Sequence, residues 1–165
     1  MRTCAIAATL LVSISALPAR ARDLGRPPWM GATCSAAERQ EDRLVRAAER
    51  LSGLDLGSVA IQYDSPLPSG LGANAYTDGE RIFLAHDHAD ALAHELWHVV
   101  QQRQGRVHPT RTIAGAAIDD ELALEVEADA MALVIEAGAA LDADAPCIVR
   151  PLHPPRTRGP LVLQR

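Results

Sequence analysis

A chain of 165 residues, 48 % of them apolar, suffices for one domain around a single apolar core. Aromatics are only 3 %, so that core must rest on Leu, Val, Ile and Ala. Net charge is −5 and no run of Arg forms a basic stripe, so nucleic-acid binding has no electrostatic support.

Residues 1–21 read as a secretory signal. Arg2 supplies the charged start, Cys4 to Leu17 is an uncharged and mostly apolar run, and Ala19-Arg20-Ala21 fits small-x-small cleavage. The run falls short of the roughly 20 apolar residues that a bilayer requires, so export with cleavage is expected, to periplasm or medium, with no stable membrane anchor afterwards. Cys4 would leave with the signal. Cys34 and Cys147 then form an even pair in an oxidising compartment, which predicts one disulfide.

The rest divides into a domain over residues 22–148 and a Pro/Arg-rich tail, 149–165, expected to lie over the surface. Ser35 with Glu38 three residues on is a capping box that opens a first helix. Leu44, Val45, Ala48 and Leu51 form its apolar stripe, and Gly53 is its expected stop. Val59 to Tyr63 is a strand, and Pro66 to Gly72 a loop. Ala75-Tyr76-Thr77 and Arg81 to Leu84 flank Asp78-Gly79, a hairpin turn. A second helix is expected from after Asp87 to about Gln104, ended by Gly105. Arg106 to Ala117 reads as a connecting loop, and a third helix runs from Asp119 or Asp120 to about Glu136, before Gly138.

The chemistry is concentrated in His94-Glu95-Leu96-Trp97-His98, an H-E-x-x-H pattern within the second helix. Residues four apart share a helix face, so both imidazoles can reach one ion. Glu95 sits about 100° further round, too far to share the ion but near enough to touch a water on it. Leu92, Leu96, Val99 and Val100 on the opposite side fix that helix in the core. Neutral imidazole suits Zn²⁺, and three protein ligands plus water make an open catalytic site.

The third helix offers the third ligand. Glu125 and Asp129 are four apart on one face, and Leu122, Val126, Leu133 and Val134 make an apolar side to pack on the second helix. Glu125 is the expected ligand, with Glu121 as weaker competitor, while Glu127 points elsewhere. Asp129 is the expected outer-shell partner, accepting the free ring N–H of His94. His86 and His88 precede the second helix as surface or capping residues.

The run His94-Glu95-Leu96-Trp97-His98-Val99-Val100-Gln101-Gln102 resembles the core of the extracellular contractile injection system (eCIS) core domain family. Ala75 to Leu84 resembles the strand pair that this family places before its zinc-site helix, and Glu125-Val126-Glu127-Ala128-Asp129 resembles its E-x-E-A-D segment. The resemblance spans roughly residues 57–137. More broadly, the pattern is similar to the gluzincin peptidases of thermolysin type. That likeness implies Zn²⁺, a Glu base and a strand edge beside the cleft where peptide binds extended. It also implies an oxyanion donor, for which Tyr76, His108 and His153 are candidates. By resemblance alone the chain has a link to a secretion or injection system. Trp97 departs from both families, which usually have Thr there.

The fold expected is α+β, a minimal gluzincin-like core: a small antiparallel sheet packed on a zinc-site helix pair, with an extra N-terminal helix. The function expected is exported zinc-dependent hydrolysis of peptide bonds in a peptide or protein substrate, by a zinc-bound water activated by Glu95. The alternative is a non-catalytic exported module that binds zinc, a peptide or a partner.

Overall fold

The computed structural model describes residues 34–113, 116–148 and 162–164, so the expected signal, residues 1–21, lies outside the described residues. The elements follow the local chemistry. Helix α1 (Ala36–Ser52) opens on the capping box: Ser35 Oγ accepts the Glu38 N–H at 3.1 Å, and Glu38 accepts the Ser35 N–H at 2.7 Å. Gly53 ends it at φ +71°, a left-handed turn that glycine adopts without Cβ strain. Strand β1 (Ala60–Gln62) follows. The expected loop after it contains a single helical turn, α2 (Leu67–Gly70).

Strands β2 (Ala75–Asp78) and β3 (Arg81–Leu84) form the hairpin, with its loop one residue later than expected. Asp78 pairs with Arg81 in the ladder, so Gly79 and Glu80 make the turn, Gly79 at φ +62°. Strand alternation then sorts the hairpin's side chains. Ala75, Ile82 and Leu84 enter the core, with Thr77 on the same face, while Tyr76 stacks on Phe83 on the other face with ring centroids 4.8 Å apart.

A 3₁₀ turn (Ala89–Ala91) leads into helix α3 (Leu92–Arg103), whose Leu92, Leu96, Val99 and Val100 are buried as expected. The segment read as a loop after it holds a second hairpin, β4 (Arg111–Ile113) and β5 (Ala116–Asp119). Short, Ala-rich strands lack the alternation that marks a strand in sequence.

Helix α4 (Leu122–Leu141) runs through Gly138 instead of stopping before it. The glycine serves packing: a Cβ placed on it would lie 3.4 Å from the Ala47 Cβ of α1. The apolar side assigned to this helix is also reversed. Leu122, Val126, Leu133 and Val134 are 45–76 % exposed, whereas Leu124, Ala128, Ile135 and Ala139 are buried against α3 and α1. At 100° per residue, the buried stripe is flanked by Glu125 and Asp129 on one side and by Glu127 on the other. A helix apolar on two sides has no stripe to choose from composition alone. Leu51, assigned to the α1 stripe, is likewise exposed.

Strand β6 (Val162–Gln164) lies within the expected surface tail, yet it is an interior strand of the sheet. The six strands run in the order β1-β3-β2-β6-β5-β4. Pairs β2–β3, β2–β6 and β4–β5 are antiparallel; β1–β3 and β5–β6 are parallel. The architecture is therefore α+β, with α3 and α4 as the helix pair and α1 as the additional N-terminal helix. Strand β2, beside α3, pairs with β3 and, along Thr77 and Asp78, with β6, so that part of the free peptide-binding edge implied by the gluzincin likeness is filled by the chain's own strand.

Cys34 and Cys147 are joined, closing a sequence separation of 113 residues between the start of α1 and the segment after α4. Arg43, Arg46 and Arg50 of α1 reinforce the closure. They bond Ala143 O at 3.4 Å, Pro146 O at 2.6 Å and the Asp142 carboxylate at 2.6 Å.

Candidate metal centre

His94 and His98, one helical turn apart on α3, present their imidazoles edge to face with centroids 4.5 Å apart. Glu125 in the first turn of α4 meets both: its Oε2 lies 3.4 Å from His94 Nε2 and 3.6 Å from His98 Nε2. One ligand atom from each residue falls within 4.8 Å of the others, a group able to hold a divalent metal ion. The spacing fits an ion better than direct pairing. Hydrogen bonds would draw N and O to about 2.7–3.2 Å. Ligands at about 2.0–2.1 Å from a tetrahedral ion stand about 3.3 Å apart.

Burial points the same way. His98 is wholly buried, and its Nε2 and Glu125 Oε1 have no hydrogen-bond partner among the described residues. An unpaired buried polar atom costs about 1–3 kcal/mol, and coordination would satisfy His98 Nε2. Burial pushes the Glu125 carboxyl up, but the two imidazoles outweigh it and hold it at about 2. Glu125 is thus an anion facing two imidazoles, the donor set that a divalent cation requires.

The free ring nitrogens are occupied. His94 Nδ1 lies 2.9 Å from Asp129 Oδ1, the pairing expected from sequence. His98 Nδ1 lies 2.8 Å from Gln101 Oε1. Both contacts leave Nε2 free to face Glu125. Glu95, 2 % exposed, projects beside the cluster, where Thr77 Oγ1 of β2 donates to its Oε2 at 2.6 Å. Burial pushes the Glu95 carboxyl up, opposed by the His98 imidazole, the Thr77 hydroxyl and His94.

Residues 39–106 match the eCIS core domain. The chain is similar to this family over that segment. Its matched segment begins within α1, earlier than the resemblance read from the sequence, and ends just past α3. His94, Glu95 and His98 lie inside it, and Glu125 comes from α4 beyond it. Together the four residues make an H-E-x-x-H site of gluzincin type, consistent with hydrolytic catalysis. Neither the curated proteins nor the solved structures offer a match to the chain.

Two residues of the site were not found by sequence reasoning. Gln101 could have been, since it lies three residues after His98 on one helix face. Thr77 had only the hairpin alternation to mark its face, with nothing in sequence to say which helix that face meets. Trp97, the departure within the motif, is buried, and its Nε1–H donates to Glu127 Oε1 at 2.8 Å. Glu127 also takes both ends of the Arg106 guanidinium, which with Trp97 holds its carboxyl down at about 2 despite the opposing effect of burial. Trp97 therefore clamps α3 to α4 rather than lining a cleft. Trp97→Phe should lower stability by about 0.5–1.5 kcal/mol, read as a urea midpoint shift, with metal content unchanged.

The remaining candidates stand apart. Tyr76 is on the sheet face away from α3, and His108 is exposed, its backbone N–H bonded to Asp119 at 2.7 Å. His153 lies outside the described residues. Glu121 occupies the N-cap position of α4. His86 pairs with Asp64 at 2.8 Å on the surface, and His88 precedes the 3₁₀ turn without capping it.

Proposed function

We propose that this protein is an exported zinc-dependent metallohydrolase, a peptidase acting on peptide or protein substrates. The observation that carries the reading is the convergence of His94 Nε2, His98 Nε2 and Glu125 Oε2 at non-bonding separations, with His98 Nε2 buried and unpaired. These three residues would hold Zn²⁺, which would supply Lewis acidity toward a substrate carbonyl. Glu95 is the general base: it takes a proton from the attacking water and delivers it to the leaving amine. Burial raises its carboxyl above the ordinary carboxylate range, which makes it a stronger base. Thr77 aims that carboxylate, and Asp129 holds His94, keeping its ligand nitrogen toward the site.

Residues 1–21 are a cleaved signal in this reading, and the disulfide agrees with an oxidising destination. The eCIS core domain supports an association with an extracellular injection or secretion system. No helix among the described residues is long and apolar enough to cross a membrane.

A non-catalytic zinc or partner-binding module is the second reading. It is favoured by the pairing of β6 along Thr77 and Asp78 of β2, which covers that part of the strand beside α3 against an extended peptide. Elemental analysis of protein purified without chelators tests the metal reading. Wild type should hold about one zinc per chain, and His98→Ala and Glu125→Ala should each lose it. Zinc absent from wild type would overturn the catalytic assignment. Turnover of an unfolded protein by zinc-loaded wild type separates the two readings that keep the metal.

A further inference from the structure

Beyond the ligands, the site is tied to the far C-terminus of the chain. Gln164 of β6 is wholly buried, and its Nε2 donates to Gln101 Oε1 at 3.2 Å. Gln101 Nε2 donates to Leu124 O at 2.9 Å, the carbonyl immediately before Glu125. The Leu124 carbonyl can only accept, so the Gln101 nitrogen faces it, and the bond from Gln164 reinforces that orientation by giving Oε1 a donor. The same Oε1 lies 2.8 Å from His98 Nδ1. That nitrogen must then carry a proton, so in the neutral imidazole Nε2 keeps the lone pair and is the nitrogen turned to Glu125. In the sheet, Gln164 pairs with Thr77 of β2, which holds Glu95, and with Asp119 of β5, which leads into α4. A buried amide with one bond, its own Oε1 unpartnered among the described residues, is a costly choice for packing alone.

We infer that strand β6 completes the metal site, with Gln164 as a positioning residue that braces the Gln101 amide and, through it, the Nδ1–H form of His98 whose Nε2 can bind metal. The inference rests on the reading of His94, His98 and Glu125 as metal ligands. Reversing the polarity at 164 tests it. A carboxylate there accepts and cannot donate, so Gln164→Glu sets two acceptors against each other at Gln101 Oε1 and drives the amide to turn over against its bond to Leu124 O. The Gln101 N–H then faces His98 Nδ1, the imidazole proton moves to Nε2, and the ligand position is blocked. Gln164→Met keeps the side chain's size and removes only the donated bond.

The experiment uses the full chain, a zinc titration against a competing chelator, and ¹⁵N NMR of the His98 ring in the metal-free protein. Loss of an outer partner of a metal-bound His typically weakens binding 10–100-fold. We expect about tenfold weaker zinc binding in Gln164→Met and about 100-fold in Gln164→Glu, with the Nδ1–H signature of wild type replaced by Nε2–H in the latter. Wild-type affinity and tautomer in both variants, with zinc still lost in His98→Ala, would overturn the inference and leave the metal site standing. Wild type that binds no zinc would instead overturn the metal reading itself. Should Gln164→Glu fail to fold, Gln164→Met decides, and unchanged affinity there overturns the role of β6.

Discussion

Glu95→Gln should keep one zinc per chain and lower hydrolysis of an unfolded protein substrate by about 10²–10⁴-fold. The substitution preserves shape: the Gln carbonyl can still accept from Thr77 Oγ1, which holds the native carboxylate at 2.6 Å. It removes only the capacity to take a proton. Because His94, His98 and Glu125 are untouched, metal content separates loss of the base from loss of the site. The pH profile adds a second mark. Glu95 works ionised, and its burial moves the acid limb of kcat/KM above the ordinary carboxylate value of 4.5. Activity therefore falls as pH drops through that raised value, and the limb disappears in the Gln variant. Wild-type turnover by zinc-loaded Glu95→Gln would sink the general-base assignment.

Removing the disulfide should have the largest effect on stability. In the chain-entropy picture, closing a loop of 113 residues contributes about 4–5 kcal/mol by restricting the unfolded chain. For a chain of this size that corresponds to a fall in Tm of roughly 12–20 °C for the Cys34→Ser/Cys147→Ser variant. The ion pair Arg50–Asp142 at 2.6 Å and the Arg46–Pro146 contact at 2.6 Å survive the change. They are partly exposed and too weak to hold α1 to the end of α4 alone. Metal content should be unchanged, since the bridge lies at the other end of the helix pair from the ligands. Calorimetry with and without reductant checks this, and an unchanged Tm would contradict a stabilising role.

Much of the site was legible because its parts are local. His94, Glu95 and His98 need only one helix, and the 3.6-residue period assigns their faces before any contact is known. Glu125 and Asp129 followed from the same period on a second helix. So did the capping box at Ser35, which depends on Glu38 three residues away. The paired cysteines were readable from count and compartment. What misled was also local reasoning: Gly138 looked like a helix stop, and Leu122, Val126, Leu133 and Val134 looked like a core stripe. Both errors concern which surface meets which, a property of α1 and α3 as much as of α4.

Spacing and composition were thus enough to name the candidate metal-binding group, the proposed base, the cysteine pair and the α+β class. Each of these rests on spacing within one element or on composition. Tertiary structure alone decided that Thr77 holds Glu95, that Glu127 clamps Trp97, and that residues 162–164 form a strand between β2 and β5. These contacts join residues 18, 30 and up to 87 positions apart. A three-residue strand has too little pattern to announce its partner, and pairing across such distances is chosen only when the whole sheet and core form together.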